Sequence, residues 1–222
     1  MVFVLLALIF LGVILTLFFK EKENSQNQLE KTQPRVWQVK SIDTMKYSRD
    51  LTGQKLNDPT FDQVIETQIK AIAATGATHV AIGTPYDEKF IPFLSRWVAA
   101  ARRYKLNVWF RGNFSGWEGW FGYRKDVTRE EHLALMRQFI NKNGNLFENG
   151  DLFTPCPECE NGGSGDPRQT DDIEGFRKFL IDEFQAANEE FRKIGKNVRT
   201  VTAMNYDVAS LVMDEQTANA VG

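Results

Sequence analysis

The chain has 222 residues, 42% hydrophobic and 25% charged, the proportions of an ordinary globular protein with enough apolar mass for one sizeable core. Its formal net charge of -2, with no basic block, excludes a nucleic-acid surface built from gathered Lys and Arg and turns any polymer-binding reading toward neutral ligands.

Residues 1–19 carry no charged side chain, with only Gly12 and Thr16 as weak interruptions. As a helix they would span roughly 28 Å, just enough to cross a bilayer. A cleaved signal would show a basic start, a shorter apolar core and a small-residue cleavage site, so the run reads as an uncleaved transmembrane anchor, with secretion as the alternative. Lys20, Lys22, Lys31 and Arg35 follow the span and, counted by the positive-inside rule, place the domain inside. An extracytoplasmic catalytic domain rests on substrate logic alone. Residues 20–34, rich in Gln and Asn, form a flexible linker, and residues 35–222 the folded domain.

Residues 36–42 read as the first strand. A helix follows, with Thr60 and Gln63 as a capping box and Val64, Ile65, Ile69, Ile72 and Ala73 at helical spacing until Gly76. Residues 78–83 form a continuous apolar run suited to a buried parallel strand, in which His79 is a buried residue. Phe90, Phe93, Leu94, Trp97, Val98 and Ala101 make the next helical stripe. A third strand spans 106–110. Its helix opens at Thr128 with Glu131 as capping partner and buries Leu133, Met136, Phe139 and Ile140, leaving His132 on the surface. A short fourth strand spans 151–154. The longest helix carries Phe176, Phe179, Leu180, Phe184, Ala187 and Phe191 and closes at Gly195. A fifth strand spans 198–203, and a partial helix ends the chain.

Alternating strands and helices imply a parallel sheet. The loops leaving the strands hold the aromatics, acids and amides, whereas the opposite loops are plain, as in a barrel whose site lies at the carboxyl ends of its strands. Neither a dinucleotide fingerprint nor a Walker loop follows the first strand, and no cofactor is expected. The expected fold is a (β/α)8 TIM-barrel type, truncated after about five βα units.

Two loops carry the chemistry. In residues 109–123, Trp117, Trp120 and Tyr123 mix with Gly, Arg111, Asn113 and Glu118. Flat rings suit the C–H faces of sugars and short polar groups suit their hydroxyls, although a loop folded down as a small apolar cluster would have the same composition. In residues 154–163, Glu158, Glu160 and Asn161 stand where the chain turns after the fourth strand. Lys46, Tyr47, Asp87, Asn205 and Tyr206 are further substrate-binding candidates at strand ends, with ordinary loop roles as the competing reading. Cys156 and Cys159 have the gap of a zinc half-site or redox dithiol. The two histidines lack paired spacing, so no metal site is expected; a short disulfide or free thiols remain.

From residue 36 to the end the chain resembles the clan A glycoside hydrolases, the barrel enzymes that include cellulases and mannanases. In that clan a Glu after the fourth strand is the general acid/base and a Glu at the end of the seventh strand the nucleophile. The resemblance implies that Glu158, nearer the strand end, or Glu160 is the acid/base. The clan's usual preceding Asn is replaced here by Pro157 or Cys159. The implied nucleophile falls beyond the chain, since five strands cannot close an eight-stranded barrel. A glycoside hydrolase acting on a neutral oligo- or polysaccharide is therefore expected. A non-catalytic carbohydrate-binding barrel, or another barrel enzyme such as a metal-dependent hydrolase or lyase, is the alternative. Oligomeric state stays open.

Overall fold

The computed structural model describes residues 37–123, 126–161 and 165–222, with the side chain of Glu118 also outside the description. The expected anchor and linker, residues 1–34, lie outside the described residues. Among the described residues no helix is long and apolar enough to cross a membrane.

Residues Val39–Gly222 form one compact unit. Its strands are β1 (Ser41–Asp43), β2 (His79–Ile82), β3 (Asn107–Phe110), β4 (Leu152–Phe153) and β5 (Arg199–Thr200), and its main helices are α1 (Asp62–Ala74), α2 (Ile91–Arg103), α3 (Arg129–Lys142), α4 (Ile173–Lys193), α5 (Tyr206–Val212) and α6 (Glu215–Val221). The five strands form one sheet in sequence order, each paired in parallel with the next. A doubly wound sheet would reverse its order at a switch point, so the sequential order is compatible with part of an α/β barrel.

Strand alternation sorts the side chains by face. Val80, Ile82, Val108, Phe110 and Phe153 occupy one face and are fully buried. Phe110 meets Phe147 at 4.5 Å between ring centroids, and Phe153 meets Phe191 of α4 at 5.3 Å, so this face packs on the helices. Each such ring contributes about 1.5–3 kcal/mol by leaving water. The register row Asp43, Ala81, Trp109, Leu152 and Arg199 lies on the opposite face.

A buried ion pair fixes the amino end of the sheet. Asp151, with no exposed side-chain surface, takes Arg102 Nη1 and Nη2 at 2.8 and 2.5 Å and accepts the Val108 and Glu148 amides at 2.8 Å each. Every carboxylate oxygen is thereby satisfied, the condition under which a buried charge is tolerable.

Helix ends follow local chemistry with one difference from expectation. Thr128 Oγ1 accepts the Glu131 amide at 3.1 Å, as the spacing predicts. Before α1, however, Asp58 rather than Thr60 is the cap, accepting the Thr60 amide at 3.0 Å and starting a short 3-10 turn that leads into the helix. The other difference is His132, which is fully buried rather than on the helix surface.

Candidate functional site

The carboxyl ends of β1, β3, β4 and β5 bring one polar group together. Arg111, one step past β3 on the Trp109 side, donates from Nη1 to Asp43 Oδ2 at 2.9 Å and holds Nη2 4.0 Å from Glu158 Oε1. Its guanidinium also lies 5.3 Å from the Trp109 ring centroid, and the Trp109 indole donates to Thr154 Oγ1 at 2.9 Å. Gly112 allows this arrangement, because a Cβ there would stand 2.1 Å from the Thr84 carbonyl oxygen. The Gly112 amide donates to the buried Tyr86 hydroxyl at 3.0 Å, anchoring the exit of β3 onto that of β2.

After β4 the chain closes a tight hairpin in which Cys156 and Cys159 are joined as a disulfide, their Cα atoms 5.4 Å apart, and this answers the choice between disulfide and free thiols. Glu158 lies inside that hairpin at φ +54°, a left-handed conformation that costs a non-glycine residue about 1–2 kcal/mol. Its amide donates to the Ala203 carbonyl at 2.9 Å, which docks the hairpin on the exit of β5. The Glu158 side chain is 47% exposed and accepts from Asn161 Nδ2 at 3.0 Å. Asn161 Oδ1 in turn accepts from Asn205 Nδ2 and Arg168 Nη2, each at 3.2 Å, and Arg168 continues to Asp207 at 2.8 Å.

Glu160 behaves differently. It is buried, one oxygen accepts the Asn205 amide at 2.6 Å, and Oε2 has no partner. Burial pushes its carboxyl above the ordinary range, opposed by the Asn205 hydrogen bond and the charge of Arg168, with the Glu158 charge adding to the rise. The two carboxylates thus divide into one open to solvent and one enclosed.

Of the candidates read from the sequence, Arg111, Glu158, Glu160, Asn161 and Asn205 converge here. Others are placed elsewhere. Asn113 is buried beneath the hairpin, donating to Cys156 Sγ at 3.4 Å, so it supports the acid-bearing turn from below. Trp117 is only 2% exposed, stacked on Phe179 at 5.6 Å and set 4.6 Å from His132, with its indole aimed at the Cys159 carbonyl. As a stacking platform for sugar it is corrected by that burial: the loop has folded down as the apolar cluster that its composition also allowed. Asp87 accepts the Ser115 amide at 2.7 Å and pins the loop. Lys46 is exposed 4.0 Å from Asp50, and Tyr47 packs partly buried on the core. Trp120 sits 4.9 Å from the Arg49 guanidinium, Tyr123 5.9 Å from the Lys89 ammonium, and Tyr206 is 88% exposed. The side chain of Glu118 lies outside the described residues.

Asp43, Trp109 and Arg168 belong to the assembled group but are absent from the residues singled out by sequence. The first two were signalled: alternation puts Asp43, Trp109 and Arg111 on one face, opposite the helix-packed row. Arg168 carries no such local signal. Cavities of about 620, 530 and 460 Å3 among the described residues are lined by other side chains, and Glu158, half open to solvent, marks the exposed edge of the group. No family model, curated protein or solved structure matches this chain.

Proposed function

We propose that the chain is the first five βα units of a (β/α)8-type, glycoside hydrolase-like domain acting on a neutral oligo- or polysaccharide. The observation that carries this reading is Glu158. A strained carboxylate stands half open at the strand ends, hydrogen-bonded to Asn161, with Arg111, Asp43 and the Trp109 ring alongside. The left-handed backbone closes the disulfide turn so that this carboxylate faces outward, and functional sites are among the places where such strain is tolerated.

The chemistry follows from charge. Cleaving a glycosidic bond requires a proton for the leaving oxygen while the sugar carbon becomes cation-like, and two carboxyls of different protonation state supply both needs. Glu158 is the proton donor and acceptor in this reading, because it can reach a ligand. Arg111 and Asn161 orient its two oxygens, and both also offer donors to sugar hydroxyls. Glu160 positions Asn205 through the 2.6 Å amide contact. The nucleophilic carboxylate is expected from strands completing the barrel. The apolar residues 1–19 would tether the domain to a membrane through the linker.

The test has two arms. Calorimetric titration of the whole chain in detergent with cello-, manno- and xylohexaose should detect binding to at least one, and R111A should weaken it by about ten-fold or more, the scale of a lost charge-assisted contact. In a polypeptide extended through the remaining strands, E158Q should abolish release of reducing ends while retaining binding. Hydrolysis by E158Q at the wild-type rate, or no binding to any hexasaccharide, would overturn the reading. Binding without turnover in the extended wild-type protein would instead establish the non-catalytic barrel.

A further inference from the structure

Beneath the hairpin lies a cluster that the sugar reading does not use. Cys156, His132 of α3 and Glu183 of α4 are all buried, and one ligand atom from each lies within 4.8 Å of the others. Cys159 brings a fourth, since its sulfur is bonded to that of Cys156. Neither ring nitrogen of His132 finds a partner at normal hydrogen-bonding geometry, and Glu183 Oε2 is equally unpartnered. His132 Nε2 and Glu183 Oε2 face each other at 3.9 Å, beyond hydrogen-bonding distance, and two unsatisfied buried polar side chains beside a sulfur pair are uncommon in a native core and call for an explanation. Phe114, Trp117 and Phe179 pack around the group with rings at 5.6, 4.6 and 5.7 Å from His132.

We propose that, once the disulfide is reduced, Cys156, Cys159, His132 and Glu183 bind one zinc ion. Two cysteines separated by two residues are a common half of a structural zinc site, and the fold supplies the other half from two helices. In a tetrahedral site with bonds of about 2.0–2.3 Å the ligand atoms stand about 3.3–3.8 Å apart, so the widest separations must shorten by about 1 Å while the two sulfurs, bonded in the oxidised chain, move apart to about 3.8 Å. The chemistry balances. A dithiol gives two electrons and two protons to the Cys156–Cys159 bond and leaves as its cyclic disulfide. Zinc then displaces the protons of both thiols, while Glu183 coordinates as a carboxylate and His132 through a ring lone pair, any proton either carries leaving to solvent. The consequence is that the turn presenting Glu158 has a clasp in either redox environment, a disulfide where oxidants prevail and a metal where thiols persist. This inference stands independently of the sugar reading.

Cobalt(II) is the probe, added to the whole chain in detergent after reduction by a water-soluble phosphine, which performs the same two-electron reduction and leaves as its oxide. The reduced chain should take up one cobalt with thiolate-to-metal charge transfer in the ultraviolet and tetrahedral bands in the visible, and zinc should displace it. The oxidised chain should show neither signal. H132N and E183Q, checked for native circular dichroism in the oxidised state, should weaken cobalt binding by about ten-fold or more and shift the visible bands. A reduced chain with no cobalt spectrum, whether folded or not restored to its fold by the metal, would overturn the proposal. So would unchanged affinity and spectrum in both variants, since the cysteines would then bind alone.

Discussion

Arg111 Nη1 stands 2.9 Å from Asp43 Oδ2, so the exit of β3 is tied to the exit of β1 across the intervening β2. The same guanidinium reaches toward Glu158 after β4. One side chain therefore links three strand exits, and removing it separates recognition from folding. The ion pair is partly exposed, with Asp43 40% open, so R111A and D43N should each change stability by less than about 1 kcal/mol in urea titrations. R111A should nevertheless weaken hexasaccharide binding by about ten-fold or more, and R111K should not restore it, because an ammonium cannot bridge two carboxylates as a planar fork does.

The left-handed backbone at Glu158 makes a second outcome measurable. E158A and E158G both remove the carboxylate and its bond to Asn161, yet only glycine relieves the positive φ. Chemical denaturation should show E158G more stable than E158A by about 1 kcal/mol, the reverse of the usual order within helices or strands. Both should lose hydrolysis in a completed barrel.

Trp117 and Trp120 lie three residues apart and should respond in opposite ways. Trp117 is enclosed by Phe179 and His132, so W117A should cost about 3–5 kcal/mol of stability, read from the urea midpoint. Trp120, partly exposed beside Arg49, should lose less than about 1 kcal/mol on truncation. If W120A also leaves hexasaccharide titrations unchanged, Trp120 takes no part in the binding surface.

Glu190 on α4 gives the fold an acid-sensitive joint. Burial alone would raise its pKa, but Lys193, Asn141 and Arg137 all donate to its carboxylate and hold it at about 2, below the ordinary 4.5. A depressed carboxylate stabilises the fold above its unfolded pKa and loses that contribution as pH falls toward its folded one. The stability gap between wild type and E190Q should therefore be present at neutral pH, at no more than about 3 kcal/mol, and close as pH drops from about 4.5 to about 2. Paired denaturation curves across that range check it.

The frame was legible because periodicity reports burial. The run holding Val80 and Ile82 suits an interior strand, and the stripe through Phe93, Leu94 and Trp97 a helix against a core. Buried polar residues were not legible, because a stripe read by side-chain type passes over them. His132 falls in helical phase with Met136, Phe139 and Ile140, yet its polarity places it on the surface, and Glu183 falls in phase with Phe176, Phe179 and Ala187, where a stripe of apolar residues leaves it out. Their meeting with Cys156 depends on two helices crossing one strand exit, which no spacing within a single segment encodes. Trp117 was misplaced for a related reason: an aromatic in a loop has no period from which to tell a platform from a plug. For Glu158 and Arg111, by contrast, a position just past a strand was enough to place them at the carboxyl ends of the sheet.

Whether the strand ends around Glu158 and Arg111 form a saccharide surface is decided by amide and indole NMR of the isotope-labelled chain in detergent, titrated with a neutral hexasaccharide. A saccharide surface there gives concentration-dependent shifts gathered on the Trp109 indole, Arg111 Nε and the side-chain amides of Asn161 and Asn205. Shifts confined to Phe114, Leu135 and Gln138 in the 620 Å3 cavity, or no shift at saturating sugar, would contradict it.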